Sequence, residues 1–160
     1  MHILFIHQNY PAQFGHIARY LVQRKGFRCT FLSQHAPGVD GGVERIQYLI
    51  QGGATPQTHY CSASFENATR HSHAIYEALK ARPKIRPDLV VAHSGYFFAE
   101  WLRELCACPI ISYFEYFYRT TTLRTTRYRR FSHGWGCYPI LVPGWFMEAT
   151  ARRSLEGAML

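Results

Sequence analysis

Residues 2–32, HILFIHQNYPAQFGHIARYLVQRKGFRCTFL, contain two short apolar runs separated by a segment with helical spacing. The first run, residues 3–6, is apolar at every position, which is typical of a strand covered on both faces. Apolar residues then recur at i, i+3, i+4, i+7 and i+8, the spacing of an amphipathic helix, at Phe14, Ile17, Ala18, Leu21 and Val22. A second strand over residues 27–32 completes a βαβ unit with parallel strands.

The ends of this first helix also carry sequence signals. Pro11 is predicted near its first turn, where the missing N–H is harmless. Gly26 follows Arg24 and Lys25 and is predicted to form a left-handed cap at the end of the helix.

The alternation of strands and helices continues beyond residue 32. Ser64 is predicted to cap a long helix, with Glu66 in its first turn, and the apolar stripe of that helix consists of Phe65, Ala68, Ser72, Ile75 and Leu79. The remaining predicted elements are loops at 34–42 and 52–60, strands at 43–49 (near an edge, being less apolar), 89–92 and 109–114, and helices at 64–82 and 96–105. The order β-α-β-β-α-β-α-β predicts an α/β fold, a doubly wound Rossmann-like parallel sheet.

The pattern ends near residue 119. Residues 1–119 are predicted to form one domain, and residues 120–160 a basic and poorly specified C-terminal tail. Residues 1–118 contain 11 basic and 8 acidic residues, whereas residues 119–160 contain 7 and 2, so most of the formal net charge of +8 lies in the last quarter of the chain. The 48% hydrophobic and 16% aromatic content excludes disorder over most of the chain.

The chain is predicted to be cytoplasmic. Its five cysteines have no C-x-x-C spacing, which fits a reducing compartment and small buried side chains. No signal-peptide pattern is present at the N-terminus, and no apolar run reaches the ~20 residues of a membrane span.

Several polar side chains follow directly after predicted strands. Ligands of open parallel sheets bind beyond the carboxyl ends of the strands, and that position holds His7, Asn9, Gln13, His93, Ser94, Gly95 and Glu115. They could equally be solvated loop residues that follow strands. Glu115 lies among five aromatic residues, and an apolar setting would raise its pKa towards the range of a general base. A structural pair with Arg119 is the alternative.

Phosphate and metal sites have weaker support. Neither G-x-x-x-x-G-K-[ST] nor a G-x-G-x-x-G after the first strand is present, but the helix N-terminus there could hold an anion, with Gly15 allowing close approach. His71 and His73 are two residues apart on a helix, so their rings cannot share an ion and are expected on a solvated face. Cys106 and Cys108 are expected to pack. No metal and no cofactor are predicted.

Three stretches resemble one family: HILFIHQNYP (residues 2–11), PDLVVAH (87–93) and SYFEYFYR (112–119) are similar to the N-terminal region of bacterial glycosyltransferases of family 4. The resemblance covers about residues 1–119 and implies one half of a GT-B fold, in which two Rossmann-like domains enclose the active site. In many members a histidine stands where this chain has Glu115.

The resemblance also implies a function. The N-terminal domain of this family holds the acceptor, the C-terminal domain holds a nucleotide-sugar, and transfer retains the anomeric configuration, usually without a metal. The chain is therefore expected to be the acceptor-side half of a retaining glycosyltransferase, truncated and inactive alone. Its partners would be a sugar or lipid-linked acceptor, and a nucleotide-sugar donor only with a C-terminal domain. Glu115 and His93 would be catalytic, and His7, Asn9, Gln13, Gly15, Ser94 and Gly95 would bind the acceptor.

A second hypothesis comes from the charge of the tail. The Arg/Thr-rich residues 119–130 could bind phosphates of a nucleic acid or another polyanion. Tyr116, Phe117, Tyr118 and Tyr128 could stack on single-stranded bases.

Overall fold

The protein contains a six-stranded sheet with helices on both faces. The computed structural model describes residues 1–94, 96–97 and 99–114, so the predicted tail over residues 120–160 lies outside the described part of the chain. The strands are β1 His2–Ile6, β2 Arg28–Ser33, β3 Gly38–Asp40, β4 Val43–Gln47, β5 Leu89–His93 and β6 Ile110–Tyr113. The helices are α1 Gly15–Lys25, α2 Tyr60–Lys80 and a 3₁₀ helix at Ala99–Glu104.

The strand order confirms the predicted doubly wound α/β fold. The order is β3-β4-β2-β1-β5-β6, and every neighbouring pair is parallel except β3 with β4. The chain moves from β1 to β2 on one side of the sheet and later returns to the other side of β1 to form β5. The order therefore reverses between β1 and β5, and the crevice for a ligand in such sheets lies at this reversal.

Two hydrophobic clusters cover the two faces of the sheet. On one face α1 packs against Ile3 and Phe5 of β1. On the other face α2 and the 3₁₀ helix pack against Leu4 and Ile6. All five residues of β1 are buried, which explains why its apolar residues do not alternate with polar ones.

The end of α1 matches the prediction, but its beginning does not. Gly26 has φ +65°, and its N–H donates to the carbonyl of Val22, as expected of a left-handed cap. Pro11 is not in the first turn, because α1 begins at Gly15. Pro11 lies instead in a separate turn that includes a cis Tyr10–Pro11 bond, and its carbonyl accepts the N–H of Gly15 at 2.7 Å.

The segment 34–42, predicted as a loop, contains the short edge strand β3. Gly41 and Gly42 join β3 to β4 as a two-residue turn with φ +57° and +86°, the left-handed values that a type I′ hairpin requires. The prediction that the strand at 43–49 lies near an edge of the sheet is therefore correct, but the edge strand is β3. Val39 is 72% exposed, so β3 has no apolar pattern that the sequence could have revealed.

The N-terminal half of the long helix was predicted incorrectly. α2 begins at Tyr60, and its cap is His59, whose Nδ1 accepts the N–H of Cys61 at 3.2 Å; Ser64 and Glu66 therefore lie beyond the first turn. Phe65 is 51% exposed and does not belong to the buried stripe. The buried residues of α2 are Ser72, Ile75 and Leu79, all in its C-terminal half.

The helix predicted at 96–105 is a 3₁₀ helix. Ala99, Leu102 and Leu105 are spaced by three residues, which puts them on the same side of a helix with three residues per turn. Ala99 and Leu102 are buried, and Leu105 packs against the same cluster. Cys106 is buried beside them, which confirms its predicted packing role. No helix in the described part of the chain is long and apolar enough to cross a membrane.

Tyr10 attaches the β1–α1 loop to the β3–β4 hairpin. Its hydroxyl donates to Asp40 at 2.7 Å, and the Arg45 guanidinium lies over its ring at 5.0 Å. Burial and the bond to Asp40 raise the pKa of Tyr10 to about 12. The loop that follows β1 is therefore held in place from the far side of the sheet.

Tyr10→Phe should lower the free energy of unfolding by about 1–2 kcal/mol, because the bond lost is to a carboxylate but that carboxylate is partly exposed. The stabilisation requires the protonated hydroxyl. It is present below the ordinary pKa of 10, and it should decrease as the pH rises from 10 to 12. Chemical denaturation measures both effects. Tyr20→Phe, on the exposed side of α1, is the matched control and should change stability by less than about 0.5 kcal/mol.

Gly15→Ala should also destabilise the protein, because an added Cβ would overlap Cβ of Pro11. The cost of overpacking, about 1–3 kcal/mol, exceeds the gain of about 1 kcal/mol in helix propensity. Denaturation of a double-mutant cycle with Pro11→Gly tests the cause, since the cost of Gly15→Ala should fall when the opposing carbon is absent. An equal cost in both backgrounds would contradict it.

Candidate functional site

The candidate site lies at the carboxyl edge of the sheet, where the strand order reverses. β1 and β5 pair with Ile6 opposite Ala92, and β5 and β6 pair with His93 opposite Tyr113. His7, one residue beyond Ile6, is therefore level with His93 and Tyr113. The register places one ring from each of three neighbouring strands in a row.

The distances between these rings confirm that they are in contact. The His7 and His93 ring centroids are 4.8 Å apart with the planes at 70°, and those of His93 and Tyr113 are 5.7 Å apart. The ring of Phe14, immediately before α1, lies 6.2 Å from His7 and 6.0 Å from Tyr113. We call these four residues the edge row. His7 is 6% exposed and Tyr113 is 42% exposed, so the row leads from the interior to the surface.

His7 is oriented by the loop that follows it. The backbone N–H of Asn9 donates to its Nδ1 at 2.9 Å. The same nitrogen lies 3.1 Å from the carbonyl oxygen of Asn9, so the backbone of Asn9 fixes the orientation of the imidazole ring. The hydrogen bond between the N–H of His7 and the carbonyl of Leu32 extends the β1–β2 ladder by one residue.

The other residues predicted for this site are placed as follows. Asn9 is exposed, and Gln13 is half-buried in the turn before α1. Ser94 is half-buried, and its N–H donates to the carbonyl of Tyr113 at 2.8 Å, beside the edge row. Gly15 is buried, and Pro11 lies where its side chain would be, so contact within the chain already requires a glycine there. Gly95 and Glu115 lie outside the described residues.

Tyr96 belongs to the same group of rings, although sequence reasoning did not select it. Its ring stacks on His93 at 5.8 Å with 20° between the planes, and it lies 5.9 Å from the ring of His7. Tyr96 is 6% exposed and packs with the cluster under α2. It therefore links the edge row to the opposite face of the sheet. The sequence feature that could have identified Tyr96 is its position three residues after His93.

His71 and Tyr48 extend this group from α2 and from the end of β4. The Tyr48 hydroxyl and the Nδ1 of His71 are 3.0 Å apart, and the His71 ring lies 4.9 Å from that of Tyr96. The prediction that His71 faces solvent is therefore wrong, whereas His73, with 67% of its side chain exposed, does face solvent. His71 lies one and two turns before Ile75 and Leu79, and that spacing could have revealed its inward position.

Burial determines the charge state of these three side chains. Burial raises the pKa of Tyr48 above its usual value of 10, and burial together with the nearby Tyr48 hydroxyl raises the pKa of Tyr96 well above the same value. Burial also lowers the pKa of His71. All three side chains are therefore neutral at pH 7, and the bond between Tyr48 and His71 joins two uncharged groups.

The edge row can bind a ligand in two ways. Its aromatic faces can pack against an apolar surface such as the C–H groups of a sugar ring, and imidazole nitrogens can hydrogen-bond to hydroxyl groups. No three His, Cys, Asp or Glu side chains come together as a metal-binding group within the described ranges.

A second concavity lies between α2 and the 3₁₀ helix. It measures about 200 Å³ and is lined by Glu66, Thr69, Arg70, His73 and Trp101. None of the predicted site residues lines it, and it is smaller than the roughly 300–1,000 Å³ of most ligand pockets.

Comparison with known families gives the identity of the chain. A comparison with curated proteins gave no match. The sequence profile of a family described as "Glycosyl transferase family 4 group" matches residues 25–133, which is 109 of the 160 residues. The match includes His93, Tyr96, Tyr113 and Glu115, and it extends past the domain boundary predicted at residue 119. Together with the fold, this match shows that the chain belongs to the glycosyl transferase family 4 group.

Proposed function

We propose that residues 1–119 form the acceptor-side domain of a retaining glycosyltransferase that uses a nucleotide-sugar donor. The observation that carries the proposal is the contact between His7 and His93 at the point where the strand order reverses. This is the position where open α/β sheets bind their ligands. The family supports glycosyl transfer in general, and the position of the edge row supports a site at this edge.

The acceptor would lie against the edge row. Asn9 and Gln13, which follow β1, and Ser94, which follows β5, would hydrogen-bond to its hydroxyl groups, and Gly95 is a further proposed acceptor-binding residue. His7 would contribute its ring face, and the bond between its Nδ1 and the N–H of Asn9 would hold that face in place. Gly15 would contribute through its backbone at the start of α1, because Pro11 occupies the place of a side chain there.

The proposed chemistry is the transfer of one glycosyl group. The bond between C1 of the donor sugar and the phosphate oxygen breaks, a bond from C1 to the acceptor oxygen forms, and the acceptor hydroxyl loses its proton. His93 would hydrogen-bond to that hydroxyl and orient it. Glu115, in the aromatic run SYFEYFYR, would act as the general base.

Transfer would also require a domain that holds the nucleotide-sugar. In a GT-B enzyme the reacting atoms meet between two domains, and residues 1–119 would supply one side. Residues 1–119 are therefore proposed to bind an acceptor without turning over a donor by themselves. The alternative function, binding of a polyanion through residues 119–130, falls on residues outside the described part of the structure.

Acceptor-type sugars should perturb the ring signals of His7 and His93 in NMR spectra of the purified 160-residue chain, whereas UDP-glucose and GDP-mannose should not. Suitable acceptor probes are the methyl glycosides of glucose, mannose and N-acetylglucosamine, and octyl glucoside as a lipid-like case. His93→Asn should weaken binding of any responding probe by about tenfold, the loss of roughly 1.4 kcal/mol from one hydrogen bond.

The matched control is His73→Asn, a histidine on the exposed side of α2. The affinity of His73→Asn for the responding acceptor probe should equal that of the wild type. Perturbation of His7 and His93 by the nucleotide-sugars alone would show that the edge row is a donor site and would contradict the proposed acceptor role.

The 160-residue chain alone should transfer no sugar from UDP- or GDP-sugars to any of these acceptors, because the proposed acceptor-side domain does not hold a nucleotide-sugar. Release of UDP or GDP, measured with a coupled assay, reports turnover. Sugar-dependent release by the purified chain, abolished by Glu115→Gln, would refute the division of roles between two domains.

A further inference from the structure

His71 is connected to the edge row through a continuous series of contacts. The Tyr48 hydroxyl lies 3.0 Å from its Nδ1, its ring meets that of Tyr96 at 4.9 Å and 71°, and Tyr96 stacks on His93. Four elements contribute to this series: the end of β4, the middle of α2, the segment after β5, and β5 itself. The series joins His71 to the edge row through Tyr96.

The hydrogen bond restricts the rotation of the His71 ring. Tyr48 is 1% exposed and keeps its proton, so its hydroxyl can donate to a neutral imidazole. A half-buried imidazole bonded in this way cannot turn about its terminal torsion without losing the bond to Tyr48. The edge of the His71 ring is therefore held against the face or edge of Tyr96.

Tyr96 in turn contacts both histidines of the edge row. Its ring is nearly parallel to that of His93 and lies at 63° to that of His7. The ring of His93 contacts those of His7 at the end of β1, Tyr113 in β6, and Tyr96. Tyr113 lies in β6 and His7 directly follows β1, whereas Tyr96 lies three residues beyond the end of β5, so its position depends on what packs behind it.

We propose that His71 is a positioning residue for His93, acting through Tyr96, and that the Tyr48 hydroxyl holds His71 in the required orientation. The role rests on the proposed function, since the benefit of a fixed His93 ring is a fixed contact with the acceptor hydroxyl. The network crosses from the α2 face of the sheet to its carboxyl edge. It would allow α2 to influence the geometry of the site through Tyr96.

The test compares Tyr48→Phe with the wild type in the full chain, without any ligand. This change removes the hydroxyl and keeps the ring. The ring-nitrogen signals of His93 should move, because the Tyr48 hydroxyl no longer holds His71 and Tyr96 in position. The His93 signal should lie closer to the wild-type position in His71→Asn than in His71→Leu, because the asparagine amide can still bond to the Tyr48 hydroxyl.

Two internal controls separate positioning from loss of fold. His2 lies at the opposite edge of the sheet, where its Nε2 is 2.8 Å from Thr30 Oγ1, and its signal should not change in a folded variant. His73→Asn, two residues from His71 but exposed, should leave His93 unchanged.

The result that would overturn the proposal is a His93 signal identical to wild type in Tyr48→Phe and His71→Leu while His2 reports a folded protein. Reduced stability alone would then be the whole effect of these residues. If Tyr48→Phe does not fold, the comparison of His71→Asn with His71→Leu decides the question. Failure of acceptors to bind would contradict the proposed function but would leave this measurement interpretable, because no ligand is used.

Discussion

The hydrogen bonding of β1 on both of its edges is the constraint on which the rest of the fold depends. All five residues of β1 are buried, and its backbone groups have no access to water. An unpaired N–H or carbonyl in such a place costs as much as a lost hydrogen bond. β1 therefore requires a partner on each edge, and β2 and β5 supply them in parallel orientation. The chain reaches β2 on one edge of β1 through α1, and it reaches β5 on the other edge later in the sequence. The strand order therefore reverses between β1 and β5.

The register of these pairings determines which side chains meet at the candidate site. Side chains alternate between the faces of a strand, so a shift of one residue between β1 and β5 would move His93 away from His7. The observed register keeps Phe5 and Val91 on the α1 face, and His7 and His93 follow them there. The same apolar packing that stabilises the core thus places two imidazoles in contact at the edge.

The second face of the sheet contributes through Tyr96. The residue follows β5 but packs with the α2 cluster, and its ring contacts residues from both faces. A bulky aromatic at this position closes the end of the core while presenting part of its surface to the edge row. The β3–β4 hairpin has a comparable effect on the other side, where Asp40 holds Tyr10 and, with it, the loop that contains Asn9.

The sequence by itself determined the buried strands, helix α1 with its Gly26 cap, and the positions of His7 and His93 at strand ends, because apolar periodicity and turn residues are local signals. Tertiary structure alone decided the rest. β3 forms through backbone pairing with β4 and leaves Val39 exposed, so no hydrophobic pattern marks it. The contacts of His71 with Tyr48 and Tyr96 join residues 23 and 25 positions apart. Periodicity indicates which side of α2 is buried. The position of the helix along the sheet is set only by packing, and that position decides which side chains meet.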